Sequence, residues 1–273
     1  RVKVIRTIMS ELTRLSSHQL WWGVMGMDLG AITSFLYGFR DREMITDIFE
    51  ETCGARLTMN YNIPGGVMFD IPANFQTKVK EFITHFRQKL PEYDQLMTNN
   101  IIFRNRTEGI GILTKKDAIS YGVTGPSGRA SGWSNDIRKS HPYSAYDRVD
   151  FKEIIYTEGD SFARYKARIE EMWESMNIIE QLIDNIPEGN YQEKTRAVIK
   201  LPKMEIYQSV ETARGELGVY INSDGKKNPY RVKFRSPGFS NLNALNTMAK
   251  GGKIADLVTI MSTIDLVIPD IDR

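Results

Sequence analysis

A mainly α-helical fold with a small β-hairpin element is predicted by three features of this chain. Long stretches carry apolar residues at helical spacing, whereas one stretch, Gly215 to Ser236, alternates apolar and polar about a turn. The 273 residues contain no convincing linker, internal repeat or low-complexity tract, so residues 1–273 read as a single domain.

The elements follow in order. Arg1 to His18 sets Val4, Ile5, Ile8, Met9, Leu12 and Leu15 on one helical face. Leu20 to Phe39 is almost entirely apolar or small, which predicts a buried helix with a break near Asp28-Leu29-Gly30. The wider run from Leu15 to Phe39 is long enough to invite a membrane-spanning reading, but its Asp28, His18, Gln19 and four glycines argue for burial in protein. Arg40 to Cys53 is charged and amphipathic, with Gly54 as its C-terminal stop. Asn62-Ile63-Pro64-Gly65-Gly66 is a turn. A helix from about Ala73 to Met97 carries the stripe Phe75, Val79, Phe82, Ile83, Phe86 and Leu90.

Thr114-Lys115-Lys116-Asp117 resembles a capping box that opens a short helix ending at Gly122. Thr124 to Gly132 is rich in Gly and Ser and is expected to form no regular element. Asp160 caps a helix that stops before Pro187. Leu217, Val219, Ile221 and then Tyr230, Val232, Phe234 flank the turn Ser223-Asp224-Gly225, the hairpin of the prediction. A last helix lies near Ile254 to Thr263.

Composition removes several functions. Lys+Arg 36 against Asp+Glu 34 gives a net charge of +2 with interspersed signs, no footprint for nucleic acid. Cys53 is the one cysteine, so an internal disulfide and any cluster held by several thiolates of this chain are excluded. His18, His85 and His141 lack ligand spacing, so no bound metal is expected. No signal peptide is visible and the chain opens on Arg1 already in helix, which suggests a natural start further upstream.

Asp28 is the most informative residue, being the one charged side chain between Arg14 and Arg40. A carboxylate in apolar surroundings is costly unless hydrogen-bonded, paired or protonated. It either caps a helix break or serves something needing a proton in a greasy pocket. Trp21, Trp22, Met25 and Met27 beside it suit core packing or a lipophilic ligand. The run Gly125 to Gly132 lacks the spacing of a phosphate-binding loop and is better read as a tight buried loop whose Arg129 pairs with a carboxylate. Glu211-Thr212-Ala213-Arg214-Gly215-Glu216 offers a catalytic acid/base pair or, more simply, a structural ion-pair network.

Several motifs taken together resemble a known family. They include Glu11-Leu12-Thr13-Arg14, Asp28-Leu29-Gly30-Ala31-Ile32-Thr33, Gly54-Ala55-Arg56, Pro64-Gly65-Gly66-Val67, Arg129-Ala130-Ser131-Gly132, Glu211 to Gly218 and the closing Asp270-Ile271-Asp272-Arg273. In this order they are similar to the D subunit of proton-pumping NADH–quinone oxidoreductase, respiratory complex I. That family has a fold related to the large subunit of nickel–iron hydrogenases.

The resemblance implies a quinone headgroup site shared with a small iron–sulfur subunit, whose terminal cluster supplies electrons that enter as NADH at a distant subunit. It implies further partners among the peripheral-arm subunits and a membrane-arm subunit at the quinone entry, with the assembly peripheral on the cytoplasmic face of the cell membrane. Asp28 matches a pocket aspartate serving proton transfer, Leu20 and Val24 line the same helix face, and Asp265 and Val267 match further quinone-pocket residues. Arg56, Thr58 and Ile63 fall near the partner's cluster.

The family commonly has histidine at Thr58 and arginine at Ile63, departures that point to a low-potential quinone such as menaquinone. The family's headgroup-contacting tyrosine and histidine fall ahead of Arg1. A hydrogenase is excluded because a nickel–iron site needs four thiolates. A related complex with a ferredoxin or deazaflavin donor, or a scaffold without its own pocket, are the other readings.

Overall fold

The computed structural model describes residues 1–196 and 198–272; Arg273 of the closing motif lies outside them. Helix α1 (Val2–Asp28) and helix α2 (Ile32–Cys53) lie antiparallel and pack along their length. Two boundaries differ from the expectation. No break separates His18 from Leu20, because nothing there removes a backbone donor or demands positive φ. Likewise α2 runs through Arg40 without interruption. The chain reverses at Leu29-Gly30-Ala31, where Gly30 adopts φ 90 and the Ala31 N–H donates to Gly26 O at 2.7 Å. The long apolar run is thus two helices folded on each other. Among the described residues no helix is long and apolar enough to cross a membrane.

The helices approach closely because glycines face the contact. A Cβ on Gly38 would stand 2.7 Å from Gln19 O, and one on Gly26 would stand 1.7 Å from Ser34 Oγ. Gly54 at φ 71 ends α2 as expected.

Between α2 and helix α3 (Phe75–Tyr93) a two-residue hairpin, β1 (Asn62–Ile63) and β2 (Gly66–Val67), encloses the expected turn. Helix α3 continues as a π-helical turn, Asp94–Thr98, just beyond Pro91. Helix α4 (Ile101–Thr107) is capped by Asn100, and α5 (Lys115–Tyr121) by Thr114 as expected.

Gly125–Arg129 forms a buried helical turn, α6, which corrects the expectation of no regular element there. Pro126 suits a first helical turn, and Gly125 at φ 69 packs against the backbone of Gly215. Helix α7 (Ile137–Ser140) is capped by Asp136 and is followed by a 3₁₀ turn, Tyr146–Arg148. Helix α8 (Ser161–Ile183) begins where Asp160 accepts from the Ala163 N–H at 2.7 Å.

The β element is larger than expected. Strands β3 (Met204–Thr212), β4 (Gly215–Ser223) and β5 (Arg231–Arg235) form an antiparallel sheet in that order, so the predicted hairpin is β4–β5. Strand β3 is mostly exposed, and Gln208 interrupts the apolar alternation of Met204, Ile206 and Val210, which hid it in the sequence. Helices α9 (Pro237–Asn243), α10 (Leu245–Ala249), α11 (Ile254–Ile264) and α12 (Ile268–Ile271) complete the chain.

The main core joins α1, α2, α3 and α8, with Trp22 stacked on Tyr93 at 3.7 Å. A second core gathers Leu113, Ala118, Val123, Met248, Ile260 and Ile264. The last turns of α1 meet α11 at the edge between the two cores.

Candidate functional site

A cleft of about 380 Å³ opens between the end of α1, α11 and the turn joining β3 to β4. Leu20, Val24 and Asp28 line one wall, spaced four residues apart as a single helical face requires. Val258, Met261 and Ser262 of α11 face them, and Asp265, Leu266 and Val267 close the far end. All five residues linked to a quinone pocket in the sequence therefore border one cavity.

Two devices fix its shape. Trp21 is buried and its indole N–H donates to Ser262 O at 2.7 Å, tying α1 to α11. The Ser262 hydroxyl then donates to Asp28 Oδ2 in a very short contact. At the far end Asp265 adopts a left-handed conformation, φ 60, and receives Arg214 Nε on its carbonyl at 3.0 Å and Nη2 on Oδ1 at 3.1 Å. Its Oδ2 is buried and unpartnered among the described residues. Beneath the cleft floor Arg168 lies over the Trp21 ring at 4.7 Å. Burial lowers the Arg168 pKa to about 10, against the pull of Asp265 and Glu171, so it stays cationic at neutral pH.

The setting of Asp28 differs from the sequence expectation. It is exposed at the cleft mouth, not enclosed among apolar groups, and its partner is a hydroxyl. Nor does its side chain cap the helix break, since α1 ends through the N–H groups of Leu29 and Gly30 reaching back to α1 carbonyls. The polarity arises because Asp28 is the last residue of α1, where the helix leaves the core.

Arg56, Thr58 and Ile63 lie elsewhere. Arg56 folds back on the acidic edge of α2, donating to Asp47 Oδ1 at 2.9 Å and Glu50 Oε2 at 2.6 Å. Thr58 is exposed. Ile63 borders a second cleft of about 720 Å³, together with Arg6, Met59, Tyr143 and Glu211.

A buried ionic network reaches the second cleft through Arg14 and Glu211. Arg129 donates to Glu171 Oε1 through Nε at 3.1 Å and Nη2 at 2.7 Å, and to Glu211 Oε1 through Nη1 at 2.8 Å. This is the carboxylate pairing and ion-pair role read for these motifs in the sequence. The sequence carried no sign of Ser262, offered Trp21 only as core packing or a wall for a lipophilic ligand, and showed Arg214 only within the Glu211–Glu216 motif. The signal for Arg214 was its place before Gly215, where a tight turn presents the side chain.

Comparison with known proteins identifies the family. Residues 28–200 and 194–273 match the family described as respiratory-chain NADH dehydrogenase, 49 Kd subunit. The chain belongs to this family. It is 57% identical over all 273 residues to a Bacteroides fragilis protein named as the C/D subunit of NADH-quinone oxidoreductase, and covers 52% of that relative. A Phocaeicola vulgatus protein of the same name is also 57% identical, with 53% of its length covered. A Bacillus cereus protein named as the D subunit of NADH-quinone oxidoreductase is 45% identical, with 75% of its length covered. The chain thus spans about half the length of its Bacteroides and Phocaeicola relatives. The match to the 49 Kd family begins at Asp28 and takes in Arg214, Asp265 and Val267, while Leu20 and Val24 precede it.

Proposed function

We propose that this chain is the quinone-binding subunit of a proton-pumping NADH:quinone oxidoreductase. In this reading residues 1–273 form one domain with a fold like that of nickel–iron hydrogenase large subunits. The quinone headgroup site is completed by an adjacent iron–sulfur subunit. Further peripheral-arm subunits, and a membrane-arm subunit at the quinone entry, hold the assembly peripherally on the cytoplasmic face of the membrane. NADH binds a distant subunit. The carrying observation is the cleft that gathers Leu20, Val24, Asp28, Asp265 and Val267. The names of the relatives support the same role.

The chemistry follows from the cleft. Quinone reduction takes two electrons and two protons, so the protein must exclude water, orient the ring and hold protons near its carbonyl oxygens. Electrons come from the adjacent subunit's cluster. Leu20, Val24, Val258 and Met261 supply apolar walls for a flat ring. The Asp28–Ser262 pair places a hydroxyl proton and a carboxylate at one end. Arg214 holds a guanidinium at the other, where charge develops on an oxygen being reduced.

The test is Asp28→Asn in the full complex, comparing quinone reduction with electron transfer to an acceptor that bypasses the site. A selective loss of quinone reduction with assembly intact is expected; unchanged quinone reduction refutes the assignment. Thr58 and Ile63, uncharged where the family commonly carries histidine and arginine, support menaquinone as substrate. A low, pH-independent midpoint of the partner's cluster is expected, and a high, pH-dependent one excludes that choice.

A further inference from the structure

We infer that Asp136 and Glu211 form a buried site for one exchangeable proton, placed beside the second cleft. The pair shares a single guanidinium nitrogen: Arg129 Nη1 stands 2.8 Å from Glu211 Oε1 and 3.9 Å from Asp136 Oδ2. Two carboxylates over one donor repel each other unless a proton lies between them. Both residues are almost wholly buried, at 3% and 4% exposure, so water does not relieve the repulsion.

The network as a whole is short of positive charge. Within hydrogen-bonding reach of one another stand four carboxylates, Glu11, Asp136, Glu171 and Glu211, and three guanidiniums, Arg14, Arg129 and Arg138. The next cation, Arg168, donates to the carbonyls of Arg164 and Ile264 and faces Asp265 as well as Glu171. Arg214 is a further cation beside Arg168, but it is bonded to Asp265 and not to the four carboxylates; the nearby histidine and tyrosines add no positive charge. Burial holds His18 below its ordinary pKa despite Glu171, and its Nδ1 is unpartnered among the described residues. Burial likewise raises Tyr143 and Tyr146, which stay neutral.

Geometry selects Glu211 as the proton's seat. Glu11 accepts from Arg14, Arg138, Tyr146 and Ser175. Asp136 accepts from Arg138 Nη2 at 2.7 Å and Nε at 3.0 Å, and Glu171 from two nitrogens of Arg129 and from His18. Among the described residues the Glu211 carboxylate has only the shared Nη1 and a long 3.4 Å bond from the Ile137 N–H. The pKa directions agree: burial and Asp136 raise Glu211, while Arg138 and Arg129 overcome burial to hold Asp136 down. Glu211 also belongs to the wall of the cleft of Arg6 and Tyr143, while its carboxylate is itself fully buried.

The site itself stands without the quinone reading; any use of its proton in turnover rests on that reading. The test is infrared spectroscopy of the full membrane complex, following the C=O stretch of a protonated carboxylic acid that shifts in D2O. Glu211→Gln removes one such band from the wild-type spectrum at pH 7, while His18→Gln retains it. If Glu211→Gln fails to assemble, Asp136→Asn decides, because losing the like-charged neighbour moves the band's titration to lower pH. A spectrum unchanged by Glu211→Gln, or a titration unmoved by Asp136→Asn, overturns the proposal. Failure of the Asp28→Asn test leaves this band untouched, so the two readings fail separately.

Discussion

Gly26 shows how a single hydrogen in place of a methyl group positions the site. It lies two residues before Asp28, and its missing Cβ is the space that Ser34 fills. In Gly26→Ala a gain of about 1 kcal/mol in helix propensity is outweighed by overpacking of about 1–3 kcal/mol or more. Faster hydrogen exchange at the amides of residues 29–34 is the expected readout, largely restored by adding Ser34→Gly. His18 carries a pH prediction. Burial depresses its folded-state pKa, so below about pH 6.5 the unfolded chain binds a proton that the folded chain does not. The His18 contribution is therefore full above the unfolded value and lost as pH falls through the folded one. Protection of the α1 amides around His18 should fall on acidification below pH 6.5, and His18→Gln should flatten that fall.

At the scale of elements, α6 is a five-residue turn whose value lies in Arg129. Its fork binds carboxylates from α8 and β3, joining elements far apart in sequence. Arg129→Met removes the cation and leaves Glu171 and Glu211 buried without it, at a cost of about 3–5 kcal/mol. Thermal melting of the assembled complex should show the loss, and Arg129→Lys should restore little because one ammonium cannot span both acids. The α1–α2 pair works differently. There the recognition is steric, through Gly23, Gly26 and Gly38, and the polar cost is confined to the Leu29–Ala31 reversal that leaves Asp28 at the surface.

Across the whole molecule, large apolar side chains remain exposed on neighbouring elements. Ile101 and Ile102 of α4 are 67% and 69% exposed, and Ile254 and Val258 of α11 are 91% and 48% exposed. These helices touch, and Arg106 of α4 donates to Ala255 O at 3.0 Å. Such a surface suits coverage by other proteins. The isolated chain should therefore self-associate, as light scattering would show, and Ile102→Lys with Ile254→Glu should reduce that association while weakening assembly into the complex.

Periodicity alone located α3, α8, α11 and the β4–β5 hairpin, because a stripe of buried apolar residues announces itself at 3.6- or 2-residue spacing. The caps at Thr114 and Asp160 and the stop at Gly54 were equally legible, since each depends on local backbone groups. The family motifs also marked the five residues that border the first cleft. The sequence could not reveal that α1 runs unbroken past His18, because a buried polar residue reads like a boundary until its partner Glu171, 153 positions away, is in place. It could not place Asp28 in water, add Ser262 and Arg214 beside it, or set Asp136 against Glu211. Those arrangements depend on how helices and strands pack across long separations, and one chain's local spacing carries no record of which distant side chain will complete a hydrogen bond.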